Sequence, residues 1–214
     1  MKPFTLQVNQ LISGWALIVL LGTYPGPPTS TLAAEPRETK SPTAESHIYL
    51  LKPDKRGGKA YKLVYTVEVP IEVYWNFKTD FQGSFLRTHK YIKEHRLMRR
   101  KENVVITEDV YSNAPNAAFR WRTILYPSIY RLDFTLENPE ECGQRFHYGY
   151  IQLVAANKQT KVIHVAYFDF LGVSLWVNYP WKGGMTAFLD YTARWEQKTV
   201  LRLKDRYSGR TIRW

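Results

Sequence analysis

The sequence predicts an α+β domain in which a curved antiparallel sheet of about seven strands wraps around one long C-terminal helix. Three observations predict it. A strand with period-two alternation (residues 61–69) runs through Pro70 into a short aromatic helix, a series of short strands broken by turn residues fills the middle of the chain, and one amphipathic segment (residues 185–208) closes it. At 214 residues the chain is long enough for one domain with a substantial core and no staples.

The elements follow in order. Lys2 and the apolar run 11–21, too short to span a bilayer comfortably, precede small residues ending at Ala34, the pattern of a secretory signal peptide over 1–34. The expectation is an exported protein, periplasmic or secreted, with an uncleaved membrane anchor as the alternative. No cysteine follows the apolar run, which excludes a lipoprotein anchor. Residues 35–58, rich in Pro, Ser, Thr, Glu and Gly, read as a linker, except that 48–51 has the apolar content to dock as an extra edge segment. In 61–69, Tyr61, Leu63, Tyr65, Val67 and Val69 alternate against Lys62, Thr66 and Glu68. Pro70 ends that strand and starts a helix from Ile71 to Lys78, with Glu72 in its first turn.

Strands are then expected over 91–99, 104–111, 118–126, 129–137, 145–155 and 161–170, with turns at 101–103, 113–116, 127–128, around Pro139 and Gly143, and at 157–159. Alternation places Phe119, Trp121, Thr123 and Leu125 on one face and Arg120 and Arg122 on the other; Tyr130, Leu132, Phe134 and Leu136 likewise oppose Arg131, Asp133 and Thr135. In the strand from Arg145, Phe146, Tyr148 and Tyr150 oppose His147, Gly149 and Ile151, and either face suits the interior. On a helical wheel, Met185, Phe188, Leu189, Thr192, Trp195, Thr199, Val200, Leu203 and Tyr207 gather on one side, with Asp190, Arg194, Gln197, Lys204 and Asp205 opposite. Glu196 projects into the apolar stripe. A carboxylate there must be ion-paired, protonated or in contact with a polar ligand group, because an isolated buried charge is too costly.

The formal charge is +11, and removing residues 1–34, whose only charge is Lys2, leaves +10. It gathers at 90–101 and 202–213. Export argues against nucleic acid as a partner; the basic clusters are a solvated surface or a docking patch for an anionic membrane. Cys142, the single cysteine, forbids an internal disulfide and reads as an incidental thiol in a turn. The segment 171–181, with Trp176 at its centre, is too apolar for a solvated loop; it borders the cavity mouth or extends the last strand.

These residues resemble the START-like superfamily, also called SRPBCC or Bet v 1-like, with its polyketide cyclase and coenzyme Q-binding branches. The resemblance rests on the strand, the junction over 69–75 (Val-Pro-Ile-Glu-Val-Tyr-Trp), the hairpin series, the run 175–178 (Leu-Trp-Val-Asn) and the long last helix. It implies a helix-grip fold with a deep cavity for lipids, sterols, quinones or polyketides. It carries no catalytic residue across.

No nucleophile elbow, metalloprotease motif, phosphate loop or cysteine pair is present, and His47, His89, His95, His147 and His164 show no metal-ligand spacing, so no metal or cofactor is expected. His147 and His164 lie on strands that the meander can make neighbours, and are surface or satisfied core residues or a pair across one face. The leading function is an exported, non-catalytic binder or carrier of a hydrophobic small molecule. The candidate ligand-binding residues are Phe119, Trp121, Leu132, Phe134, Tyr148, Trp176, Phe188, Thr192, Trp195 and Glu196. The alternatives are a cyclase or dehydratase using Glu196 with His147, His164 or Tyr148 as acid–base groups, and a membrane-docking interaction module.

Overall fold

A computed structural model describes residues 46–112, 114–170 and 184–209. The expected signal peptide over 1–34 and the segment 171–181, with Trp176, lie outside the described residues. Eight strands, β1 (His47–Leu51), β2 (Lys59–Val67), β3 (Ile92–Lys101), β4 (Val104–Tyr111), β5 (Ala114–Tyr126), β6 (Arg131–Leu136), β7 (Gln144–Ala156) and β8 (Gln159–Phe170), make one antiparallel sheet in the order β1-β2-β8-β7-β6-β5-β4-β3. Two helices complete the domain, α1 (Ile71–Lys78) and α2 (Gly184–Tyr207). The eighth strand, beyond the seven of the meander, is β1, formed by the apolar 48–51 stretch docking on β2 with Ile48 opposite Leu63.

The chain leaves β2 at one side of the sheet, passes through α1 and a 3-10 turn (Ser84–Thr88), and enters β3 at the far edge, from which the meander returns to lie beside β2. The α1 segment therefore ties the two ends of the sheet together. Pro70 precedes α1 with φ −58° and accepts the Tyr74 N–H at 3.1 Å. A proline costs nothing there, because the first helical N–H groups lack intrahelical partners. The Trp75 carbonyl ends the helix by accepting both the Thr79 N–H (2.9 Å) and its hydroxyl (2.8 Å).

The core lies between the inner face of the sheet and the two helices. Leu63, Tyr65 and Val67 of β2, Val162 and Phe168 of β8, and Ala193 and Val200 of α2 are all buried in it. Phe77, Phe85 and Tyr207 bind the ends together: the two Phe rings stack at 4.6 Å, Tyr207 stands edge-on to both, and its hydroxyl donates to Asp80 Oδ2 at 2.7 Å. Outside the sheet, Arg96 donates to Glu108 at 2.7 Å, so part of the basic charge on β3 is paired.

Two expectations change, and the buried face of β7, left open by the sequence, is assigned. Gln197 is buried, not on the wet side of α2, and donates to the Thr66 carbonyl at 2.9 Å. The helix rests one flank on β2, which widens the buried stripe to include Ala193 and Gln197. Tyr130 packs against the core but precedes β6 rather than lying in it. It has φ +51° after the 3-10 turn Pro127–Ile129, and its ring packs edge-on to Trp75 at 5.7 Å. In β7, His147, Gly149 and Ile151 take the inner face and Phe146, Tyr148 and Tyr150 the outer.

Candidate functional site

Between the inner sheet face, the α1 segment and α2 lies a partly open pocket of about 270 Å3. Strand alternation supplies most of its wall: Phe119, Trp121 and Thr123 from β5, Leu132 and Phe134 from β6, His147 and Ile151 from β7, and His164 and Ala166 from β8. Phe188, Leu189, Thr192, Trp195 and Glu196 close it from α2, at the i, i+3, i+4 spacing of one helix face.

Eight of the ten residues expected to meet a ligand therefore line this space: Phe119, Trp121, Leu132, Phe134, Phe188, Thr192, Trp195 and Glu196. Tyr148 does not. Its register puts it on the other face of the sheet, where it stacks on Tyr167 at 5.3 Å beneath the Arg56 guanidinium at 4.8 Å. On this strand Phe146, Tyr148 and Tyr150 oppose His147, Gly149 and Ile151, so polarity does not mark the buried face, and the inner face went to His147.

Glu196 is buried and fully engaged. One carboxylate oxygen accepts from Lys78 Nζ and the other from the hydroxyls of Tyr65 and Tyr74, which are themselves 2.9 Å apart. Burial raises the carboxyl's pKa, but the Lys78 charge and the three donors outweigh it and hold Glu196 below the ordinary carboxylate range. The same burial, reinforced by the Glu196 charge, drives both tyrosines well above theirs. The ion pair comes from Lys78 on α1, and the sheet contributes the Tyr65 hydroxyl. The alternation of 61–69 turned Tyr65 inward, whereas nothing in the sequence paired Lys78 with a helix more than a hundred residues away.

A second ionic pair stands on β3 and β4. His95 Nδ1 meets Asp109 Oδ1 at 2.6 Å while its Nε2 donates to the Phe81 carbonyl at 2.9 Å, and both side chains line the cavity. Burial lowers the imidazole's pKa, but the Asp109 hydrogen bond and charge overcome it and raise His95 above its usual value. Lys78, Tyr65, Tyr74, His95 and Asp109 were all missed as site residues. Only alternation could have found His95 and Asp109, and the bulges in β3 blur it there.

His147, His164 and Gln144 differ in kind. Burial lowers His147 to about 3, helped by His164, and lowers His164 to about 4, helped by Lys78, so both are neutral near pH 7. His147 Nδ1 and Gln144 Oε1 are buried without a hydrogen-bond partner. A bulge between Gln144 and Phe146 brings Gln144 onto the same face as His147. The polar atoms of Thr192 and Trp195, by contrast, are occupied by the turn before β3: Thr192 Oγ1 meets His89 Nε2 at 3.2 Å, and Trp195 Nε1 donates to Thr88 Oγ1 at 3.2 Å. No group of three or more His, Cys, Asp or Glu suited to a metal occurs among the described residues.

No protein-family model matches the sequence, and a search of curated proteins finds no match. Solved structures do match. A Thermus thermophilus protein superimposes with TM-score 0.53 at 10% identity over 71% of this chain and 99% of that one. A START superfamily protein from Mycobacterium smegmatis gives 0.52 at 12% identity over 67% and 98%. Norcoclaurine synthase from Thalictrum flavum, in complex with dopamine and hydroxybenzaldehyde, gives 0.50 at 11% identity over 81% and 98%. At such identities the likeness is one of fold: the chain has the START-like, helix-grip architecture.

Proposed function

We propose that this chain binds and carries a compact hydrophobic small molecule in the cavity, without covalent chemistry, and that it does so outside the cytoplasm once residues 1–34 are removed. The observation that carries the reading is a partly open, mainly apolar pocket of about 270 Å3 whose buried carboxylate already has three protein partners. Ligand pockets run from about 300 to 1,000 Å3, so the space suits one small lipid-like, quinone-like or polyketide-like molecule better than a two-chain lipid.

The same geometry weighs against Glu196, His147 or His164 as the acid–base group. A general base works best with a pKa near the operating pH. Glu196 is held ionised between Lys78 and two tyrosines, and His147 and His164 are pushed down to about 3 and about 4. The test is mass spectrometry of whatever co-purifies with the protein, followed by titration against the fluorescence of Trp121 and Trp195. A stoichiometric hydrophobic compound recovered unaltered supports the reading, and its steady conversion to a product overturns it. For export, N-terminal sequencing of native protein should start near residue 34 or 35, and intact Met1 in a cytosolic fraction would sink the idea.

A further inference from the structure

Two neutral imidazoles stand in the cavity wall without a hydrogen bond to any described residue. His147 and His164 belong to adjacent strands, with His147 opposite Phe168 and His164 opposite Ile151. They are thus four positions apart in register, about 13 Å along the backbone at ~3.3 Å per residue. Between them the wall is thinned to Gly149 and Ala166, which face each other across the ladder. A Cβ on Gly149 would run into the Val165 carbonyl and approach Phe134 Cζ to 2.7 Å, so the glycine exists to seat that ring. Phe134 in turn stands edge-to-face with both imidazoles, at 6.2 Å from His147 and 5.3 Å from His164. His147 packs edge-on to Trp121 as well, at 4.9 Å.

Both histidines line the cavity and are half-buried. His147 Nδ1 has no partner, and neither ring hydrogen-bonds to a described residue. Leaving such groups unsatisfied in an apolar wall is costly unless something arrives to bond them.

We propose, resting on the binding reading above, that His147 and His164 are the two polar anchor points for the ligand, and that they select an uncharged flat hydrophobe carrying hydroxyl or keto oxygens near opposite edges. Each neutral imidazole offers one N–H donor and one bare nitrogen acceptor, so it bonds either kind of oxygen. Among the described residues the charged groups of the wall are already paired: Glu196 with Lys78, Asp109 with His95 and Asp80 with Arg206. Phe134 supplies the apolar floor between the anchors.

The probes are naphthalene, 2,6-dihydroxynaphthalene and 2-naphthoate, titrated calorimetrically into the full chain and into the His147→Phe and His164→Phe variants. The diol should bind the wild-type protein more tightly than either of the others. Each substitution should weaken the diol about fivefold to tenfold, the loss of roughly one hydrogen bond, and leave naphthalene within about twofold. In wild-type protein labelled with 15N on its imidazoles, saturating diol should shift the ring nitrogens of both residues, which decides the matter if a variant fails to fold. Unchanged diol affinity in both variants, unmoved ring signals, or 2-naphthoate as the tightest probe overturns the proposal while naphthalene binding leaves the carrier reading standing. If naphthalene itself fails to bind, the carrier reading falls and takes the anchors with it.

Discussion

The two polar regions of the cavity wall are built on opposite terms. Around Glu196, every oxygen is met by the protein: Lys78 on one, Tyr65 and Tyr74 on the other. Around Phe134, His147 and His164 meet only aromatic faces. Charge alone would have pointed to Glu196 as the ligand contact. A buried carboxylate with a full set of donors has settled its desolvation cost inside the fold, whereas a buried neutral group without partners leaves that cost open. The satisfied region holds α1, α2 and β2 together, and the unsatisfied one is where an outside molecule has something to add.

Breaking the satisfied region should give the largest effect. Replacing Glu196 with Gln strands the Lys78 ammonium in a mostly buried site, and removal of one member of a buried pair costs about 3 kcal/mol. At about 2–4 °C per kcal/mol for a chain of this size, the melting temperature should fall by roughly 6–12 °C, with naphthalene affinity at low temperature little changed. Loss of probe binding with full stability would reverse the assignment of roles between the two regions.

Next comes the seat of Phe134. Ala at position 149 presses a methyl group into the Val165 carbonyl and the Phe134 ring, and overpacking of this kind costs about 1–3 kcal/mol. Urea titration should show a lower midpoint together with a displaced Phe134 ring and weaker probe binding. Unchanged stability would mean that β7 and β8 separate more easily than their pairing suggests.

The pH dependence sharpens the contrast further. His89, His147 and His164 have folded values lowered to about 4, about 3 and about 4, burial being the main cause in each. Below the unfolded value of 6.5 the unfolded chain takes up protons that the fold refuses, so stability is complete above pH 6.5 and is lost progressively as pH falls toward 4 and then 3. His95 works the other way: its folded value is raised, so its contribution is present below 6.5 and lost as pH rises through the folded value. Urea midpoints at about pH 7 and about pH 5 should therefore differ, with the lower at the acid end, and His147→Phe should shrink the gap. Equal midpoints in wild type would show that the unpartnered rings titrate freely.

The smallest effect concerns Cys142, whose buried thiol is pushed up to about 12, first by burial and then by Glu141. A disulfide reagent at about pH 8 should label it only after unfolding. Rapid labelling of native protein would mean that the turn around Pro139 opens.

The sequence carried the frame because its periodicities are strict where one face is wet. On β5 and β6, alternation located Phe119, Trp121, Leu132 and Phe134, and the wheel located Phe188, Thr192 and Trp195. It gave no answer on β7, where neither face is clearly wet, and Tyr148 rather than His147 stood among the candidate ligand contacts. The oddity of Glu196 was visible, but its partners Lys78 and Tyr74 lie on α1, and contacts across such separations leave no local pattern. Gln197 was misplaced because a helix pressed on two sides buries more than the single stripe that a wheel displays.

One consequence concerns the order in which the protein is made. Every strand emerges from the ribosome before α2, and no earlier element can seal the apolar face that Leu189, Ala193 and Val200 cover. At about 5–20 residues per second, the sheet spends seconds with its future interior open to water, and Tyr207, whose hydroxyl closes on Asp80, arrives last. A nascent chain of this design keeps that apolar face open until α2 has been made.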